Sequence, residues 1–314
     1  MTEEKSWFET HNDIKLYIRK WKPDGEPRAL INIIHGMEEH GGRYAETAKV
    51  LCKAGIEVWC ADQRGHGKTA DLTVNNAENG GLNGHCADKG GLTKVLLDIK
   101  RINEKIKIEY PGLPLFLLAH SWGSLLAQNY IEFFKENLAG CILSGTRGPE
   151  TLEIGLGLAF TRVFAAIRGV RARSFFVNSL AFGSYNKSFV PNRSSFDWLS
   201  RDEKIVDKFI SDPLCGRIPS VGFFRDMLAL LKQIHKHRAF DKIRRTLPVY
   251  IFSGSKDPVG GMGENVSTLV DKYHKTGIKD LEFILYPDAR HECLNEINRN
   301  EVLNNLLKWL ENHI

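Results

Sequence analysis

Residues 115–131, LFLLAHSWGSLLAQNYI, decide how this chain is read. Leu115 to Ala119 is a continuous apolar run, as a strand covered on both faces requires. A helical pattern begins at Trp122 with almost no linker. Between them stands Ala119-His120-Ser121-Trp122-Gly123, the pattern of a nucleophile elbow, G-x-S-x-G, with alanine in place of the first glycine. A serine on so tight a turn needs small neighbours two residues before and after it, and alanine is the least disruptive departure. The turn presents the Ser121 hydroxyl beyond the sheet. It also leaves the Trp122 N–H at a helix start, without an intrahelical acceptor. Taken alone, S-x-G also suits an N-capping serine; the strand before it and the helix after it favour a nucleophile.

Similar runs recur along the chain: ALINII (29–34), IEVWCA (56–61), AGCILS (139–144), LPVYIF (247–252) and LEFILY (281–286). Helical patterns lie between them, over 44–53, 92–108, 122–134 and 296–310. Alternation of this kind predicts an α/β fold with a mostly parallel sheet and helices on both faces. Residues 7–21 alternate apolar and polar side chains around Asn12 and Asp13, which predicts an antiparallel hairpin at the sheet edge. From Arg147 to about Ser220 the rhythm breaks. An apolar helix over 152–167, then Phe175 and Phe176, then a polar stretch, predict a helical cap (147–219) inserted between two parts of the core, 1–146 and 220–314. An amphipathic helix over 221–236 leads back to the sheet.

A serine hydroxyl is a poor nucleophile unless a base takes its proton and an acid orients the base. In this class of fold the chain order is serine, acid, histidine. Downstream, VYIFSGSKDPVG ends a strand and offers Asp257; FILYPDARHECLNE ends the next and offers His291. Both fall at carboxyl ends of strands, where open α/β sheets place their sites. Asp288 and Glu292 are rival acids, set behind Asp257 because they lie too near His291 in sequence to reach its ring easily. The oxyanion donors are expected to be the Trp122 N–H and the Met37 N–H, the latter in the loop His35-Gly36-Met37 after a buried strand. His35 and His40 read as buttresses of that loop. Asp62-Gln63-Arg64-Gly65-His66 reads as structural support rather than a metal site, since His66 has no second ligand at helical spacing.

HGMEEHGGRY (35–44), ADQRGHGKT (61–69), LAHSWGS (118–124), SGSKDPVG (253–260) and YPDARHECLNE (286–296) together resemble the successive motifs of the monoacylglycerol lipase and lysophospholipase group of α/β-hydrolases. The group is also similar to serine aminopeptidases. The resemblance spans nearly the whole chain except the cap. It implies Ser121 as nucleophile, Asp257 as acid, His291 as base, and Met37 with Trp122 as oxyanion donors. It further implies a helical cap over an acyl-binding pocket, no cofactor and no metal. The expected activity is hydrolysis of a single-chain lipid ester. A peptidase or small-ester esterase with the same triad, or a non-catalytic binding protein on the same fold, are the alternatives.

Composition narrows the remaining classes. The 314 residues carry a net charge of +5 without any lysine- or arginine-rich tract, so nucleic acid is not an expected partner. The start, MTEEKSWFET, has no basic segment followed by an apolar one, and the six cysteines show no paired spacing; a cytoplasmic setting is expected. In the cap, Arg168, Arg171 and Arg173 stand beside Phe175 and Phe176. Two accounts are open: peripheral contact with an anionic lipid surface, or pairing of these arginines with acidic residues of the core.

Overall fold

The apolar runs assemble into one sheet in the computed structural model, which describes residues 1–11, 14–134, 136–149 and 152–314. Its strands are β1 (Thr2–Glu9), β2 (Lys15–Lys22), β3 (Ala29–Ile34), β4 (Ile56–Ala61), β5 (Leu115–His120), β6 (Gly140–Ser144), β7 (Val249–Gly254) and β8 (Leu281–Tyr286), in the spatial order β1-β2-β4-β3-β5-β6-β7-β8. From β4 to β8 every pairing is parallel; β1 and β2 run antiparallel at the edge. The predicted hairpin is therefore present and begins earlier, at Thr2. Its expected turn residues, Asn12 and Asp13, lie outside the described residues.

Helices cover both faces. α1 (Ala45–Lys53) and α10 (Arg299–Glu311) lie on one, where Leu51, Val302, Leu306 and Trp309 pack against Ile31, Val58 and Phe116. On the other lie α2 (Gly91–Glu109), α3 (Trp122–Phe133), α7 (Val221–Ile234) and α9 (Glu264–Lys275), around Leu117, Leu126, Tyr130 and Leu230. Two apolar layers either side of a mostly parallel sheet are the α/β solution to burying both faces. β3, β4, β5, β6 and β7 are buried along their whole length. β8 departs from the expectation that each run is covered on both faces: as the edge strand it is half-exposed.

Between β6 and β7 lie α4 (Leu152–Arg168), α5 (Phe175–Phe182), α6 (Glu203–Ser211), α7 and the short α8 (His237–Phe240), with 3₁₀ turns at Tyr185–Phe189 and Asp197–Leu199. α7 starts at Ser220, whose hydroxyl accepts the Phe223 N–H at 3.1 Å and so satisfies an orphan donor of the first turn. α7 then packs against both α3 and α4.

Candidate active site

The chain leaves β5 and enters α3 through one residue, Ser121, at φ 53° and ψ −120°. A serine rarely adopts such a backbone, and persists there only when its surroundings fix it. They do: the Ser121 N–H donates to the Ser144 carbonyl at 3.0 Å, and the Ser124 hydroxyl donates to the Ser121 carbonyl at 2.6 Å. Gly123 is required by contact, since a Cβ there would lie 2.1 Å from the Ile34 carbonyl oxygen. Ala119, in place of the expected glycine, is fully buried in the sheet.

Asp257 lies just past β7 and His291 past β8, and the fold brings them together. His291 Nδ1 lies 3.0 Å from each carboxylate oxygen of Asp257. A ring nitrogen between two such acceptors carries the proton, which leaves Nε2 as the basic nitrogen. Asp257 is fully buried and also accepts the Val259 N–H at 2.9 Å and the Ser253 hydroxyl at 3.1 Å. Burial alone would raise its carboxyl, but the facing His291, with these donors, holds it below the usual carboxylate range. For His291 burial pulls the imidazole down, yet the Asp257 charge and hydrogen bond outweigh it and the ring is raised above 6.5. Beside it, the His120 ring at 4.7 Å is pushed down to about 4, by burial and by His291, and stays neutral.

The rival acids sit elsewhere. Asp288 is exposed, and Glu292 turns away to bind Arg43 through two contacts of 2.7 Å.

Met37 and Trp122 flank Ser121 along one cavity. Among the described residues neither backbone N–H has an acceptor within the chain. His35 Nε2 accepts the Gln63 N–H at 2.9 Å, and Gln63 in turn accepts the Trp122 indole N–H at 3.0 Å. Asp62 accepts the Gly41 N–H at 2.9 Å and the Arg19 guanidinium at 2.6 Å. Both motifs thus support the loop after β3. His40, Asp212 and Cys215 bring potential metal ligands within 4.8 Å of one another, but both His40 nitrogens are already engaged, by Asp212 and the Gly42 N–H.

Sequence reasoning missed a buried network. Glu39 accepts from the Gly36 N–H at 2.5 Å, the Tyr44 hydroxyl at 2.7 Å and Arg43 at 2.7 Å, while Arg43 reaches across to Glu292. The Glu39/Arg43 spacing of four was a legible half of the signal; the distant Glu292 was not.

The cavity measures about 860 Å³, within the range of small-molecule sites. Leu125, Ile154, Phe224, Met227 and Leu231 form much of its apolar wall, and Ser121 and His291 border it.

The chain is similar to known lipases and esterases. A monoglyceride lipase homolog of Monkeypox virus is 36% identical, covering 98% of this chain and 98% of its own. Human monoglyceride lipase is 28% identical over 94% of this chain and 86% of its own. The crystal structure of a thermostable carboxyl esterase from Bacillus coagulans, in complex with glycerol, superposes with a TM-score of 0.90 at 25% identity, over 100% of this chain and 99% of that one. The family model described as serine aminopeptidase, S33, matches residues 25–298, and the chain belongs to that family of α/β-hydrolases.

Proposed function

We propose that this enzyme hydrolyses the carboxylic ester of a single-chain lipid, a monoacylglycerol or lysophospholipid, through an acyl-enzyme on Ser121. The observation that carries the reading is that His291, paired with Asp257, and the strained Ser121 border one largely apolar cavity. In this mechanism His291 takes the Ser121 proton as the hydroxyl attacks the ester carbonyl. The Met37 and Trp122 N–H groups hold the oxyanion, and Asp257 steadies the imidazolium. His291 then protonates the leaving alcohol, and water releases the acyl group. Relatives named monoglyceride lipase support the substrate class. The test is a fluorophosphonate probe, expected to label Ser121. Beside it runs a panel of monoacylglycerols, lysophospholipids and aminoacyl arylamides across acyl lengths. Preference for the arylamides would instead support the peptidase reading that the family's description favours.

The pH profile follows from the site. His291 must be neutral to accept a proton, and its ring lies above 6.5. The kcat/KM should therefore fall toward acid with a midpoint above 6.5. Asp257, held below 3.8, stays ionised throughout that range. A midpoint well under 6.5 would contradict the pairing.

Residues 147–219 serve in this reading as the cap. α4 is apolar on two faces: Ile154, Leu158 and Ala165 are buried, whereas Leu156, Val163 and Ile167 are more than half exposed, as is Phe176 of α5. Arg171 is held by Asp88 through contacts of 2.7 and 2.6 Å, and Arg173 donates to the Asn83 carbonyl at 2.7 Å, so pairing with the core accounts for part of the basic cluster. The exposed apolar stripe supports contact with a lipid surface, with the arginines in a lesser role. Ile167→Ser with Phe176→Ser should weaken vesicle binding several-fold and leave hydrolysis of a short soluble ester nearly unchanged. Equal loss on both would make the stripe structural. No described helix is long and apolar enough to cross a membrane.

A further inference from the structure

One acidic side chain in the cavity has no role so far. Glu38 follows Met37, and its side chain lines the same cavity as Ser121 and His291. Among the described residues the other two carboxyls that line the cavity, Glu39 and Glu292, share Arg43. Among the same residues the Glu38 carboxyl has no partner. A carboxyl that lines a largely apolar cavity without a protein donor is left free to bond a ligand there.

The backbone adds a second, independent observation. Glu38 stands at φ 58°, in the left-handed region that suits glycine, with its carbonyl accepting the Gly216 N–H at 2.9 Å. A side chain at such a φ costs strain that glycine would avoid.

Position says which part of a substrate the carboxyl meets. Gly216 packs against Phe196 and Phe209, and these belong to the wall that also carries Trp198, whose ring lies 5.1 Å from His291. α4 and α7 supply Ile154, Leu228 and Leu231 as an apolar wall suited to an acyl chain. The wall of Trp198 borders the histidine that must return a proton to the departing alcohol.

We infer that Glu38 is a specificity-determining residue that hydrogen-bonds the free hydroxyls of the leaving alcohol, selecting esters of a neutral polyol over esters of an alcohol without further hydroxyls. The inference rests on the triad and lipid-ester reading above. Burial pushes the Glu38 carboxyl up to about 8, and in either protonation state it can accept a hydrogen bond from a hydroxyl. A site built to bond a substrate hydroxyl discriminates against the analogue lacking it, because its own polar group is then left unpaired.

The test compares glyceryl, 2-hydroxyethyl and propyl esters of one acyl chain, the last two differing by a hydroxyl in place of a methyl. Wild type should favour the glyceryl and hydroxyethyl esters. In Glu38→Ala and Glu38→Gly, which remove the acceptor, the kcat/KM ratio of glyceryl to propyl ester should fall about tenfold, the scale of one hydrogen bond. Glu38→Gly also suits the backbone, so its Tm should match or exceed that of wild type. An unchanged ratio in both variants overturns the inference, and so does a lowered Tm of Glu38→Gly with equal loss on all esters, which would make Glu38 a structural residue. If wild type cleaves none of the three esters, the lipid-ester reading itself fails; if it cleaves all three without preference, only the role of Glu38 does.

Discussion

Replacing Ser121 with alanine should lower ester hydrolysis by about 10⁶-fold, the scale seen when a triad nucleophile is removed. Neither His120 nor Cys293 can take over the attack. His120 is neutral and buried, and Cys293 is fully buried with its thiol pushed far up by burial, so no thiolate competes. Folding should survive, because the turn is held by backbone atoms of Ser121 rather than by its hydroxyl. Single-turnover kinetics with a chromogenic ester, together with loss of fluorophosphonate labelling, check the expectation. Full activity in Ser121→Ala would remove the nucleophile assignment.

Asp257→Asn should cost about 10⁴-fold in kcat, because an amide facing His291 Nδ1 can present a donor and favour the wrong tautomer. The same change removes the charge that lifts His291, so any residual activity should show its acid limb at lower pH than wild type. That second readout separates loss of orientation from general damage. Asp288→Asn should be near neutral, since Asp288 is exposed and φ 57° is tolerated by asparagine. Glu292→Gln should act on folding more than on chemistry, because it removes one of the two carboxylates of Arg43. A crippling Asp288→Asn, with Asp257→Asn active, would reverse the assignment of the acid.

The central strands, the turn at Ser121 and the strand-end positions of Asp257 and His291 were legible because each depends on local pattern: buried apolar runs, a small-residue turn and loops at strand ends. What escaped depended on neighbours distant in sequence. LEFILY reads like the inner runs, and only its place at the sheet edge leaves β8 half-exposed. The start of β1 is charged on both faces, so its alternation is hidden until β2 pairs with it. The last helix was expected from Glu296 but begins at Arg299. Glu296 is fully buried and accepts from the Arg201 guanidinium at 2.9 Å and the Arg290 N–H at 2.9 Å, a task for a loop residue rather than a helical surface. Nothing local in the sequence separates Glu38 from Glu39; the fold sends the second to Arg43 and the first to the cavity.

Arg43 joins the loop after β3, through Glu39, to the loop after β8, through Glu292. Neither loop can open without exposing an unpaired buried charge, so the two should fluctuate as one cooperative unit. Amide hydrogen exchange at residues 36–44 and 290–296 should then share a common opening free energy, although the segments lie at opposite ends of the chain. In Arg43→Met the two segments should lose protection independently, since methionine can bridge neither carboxylate.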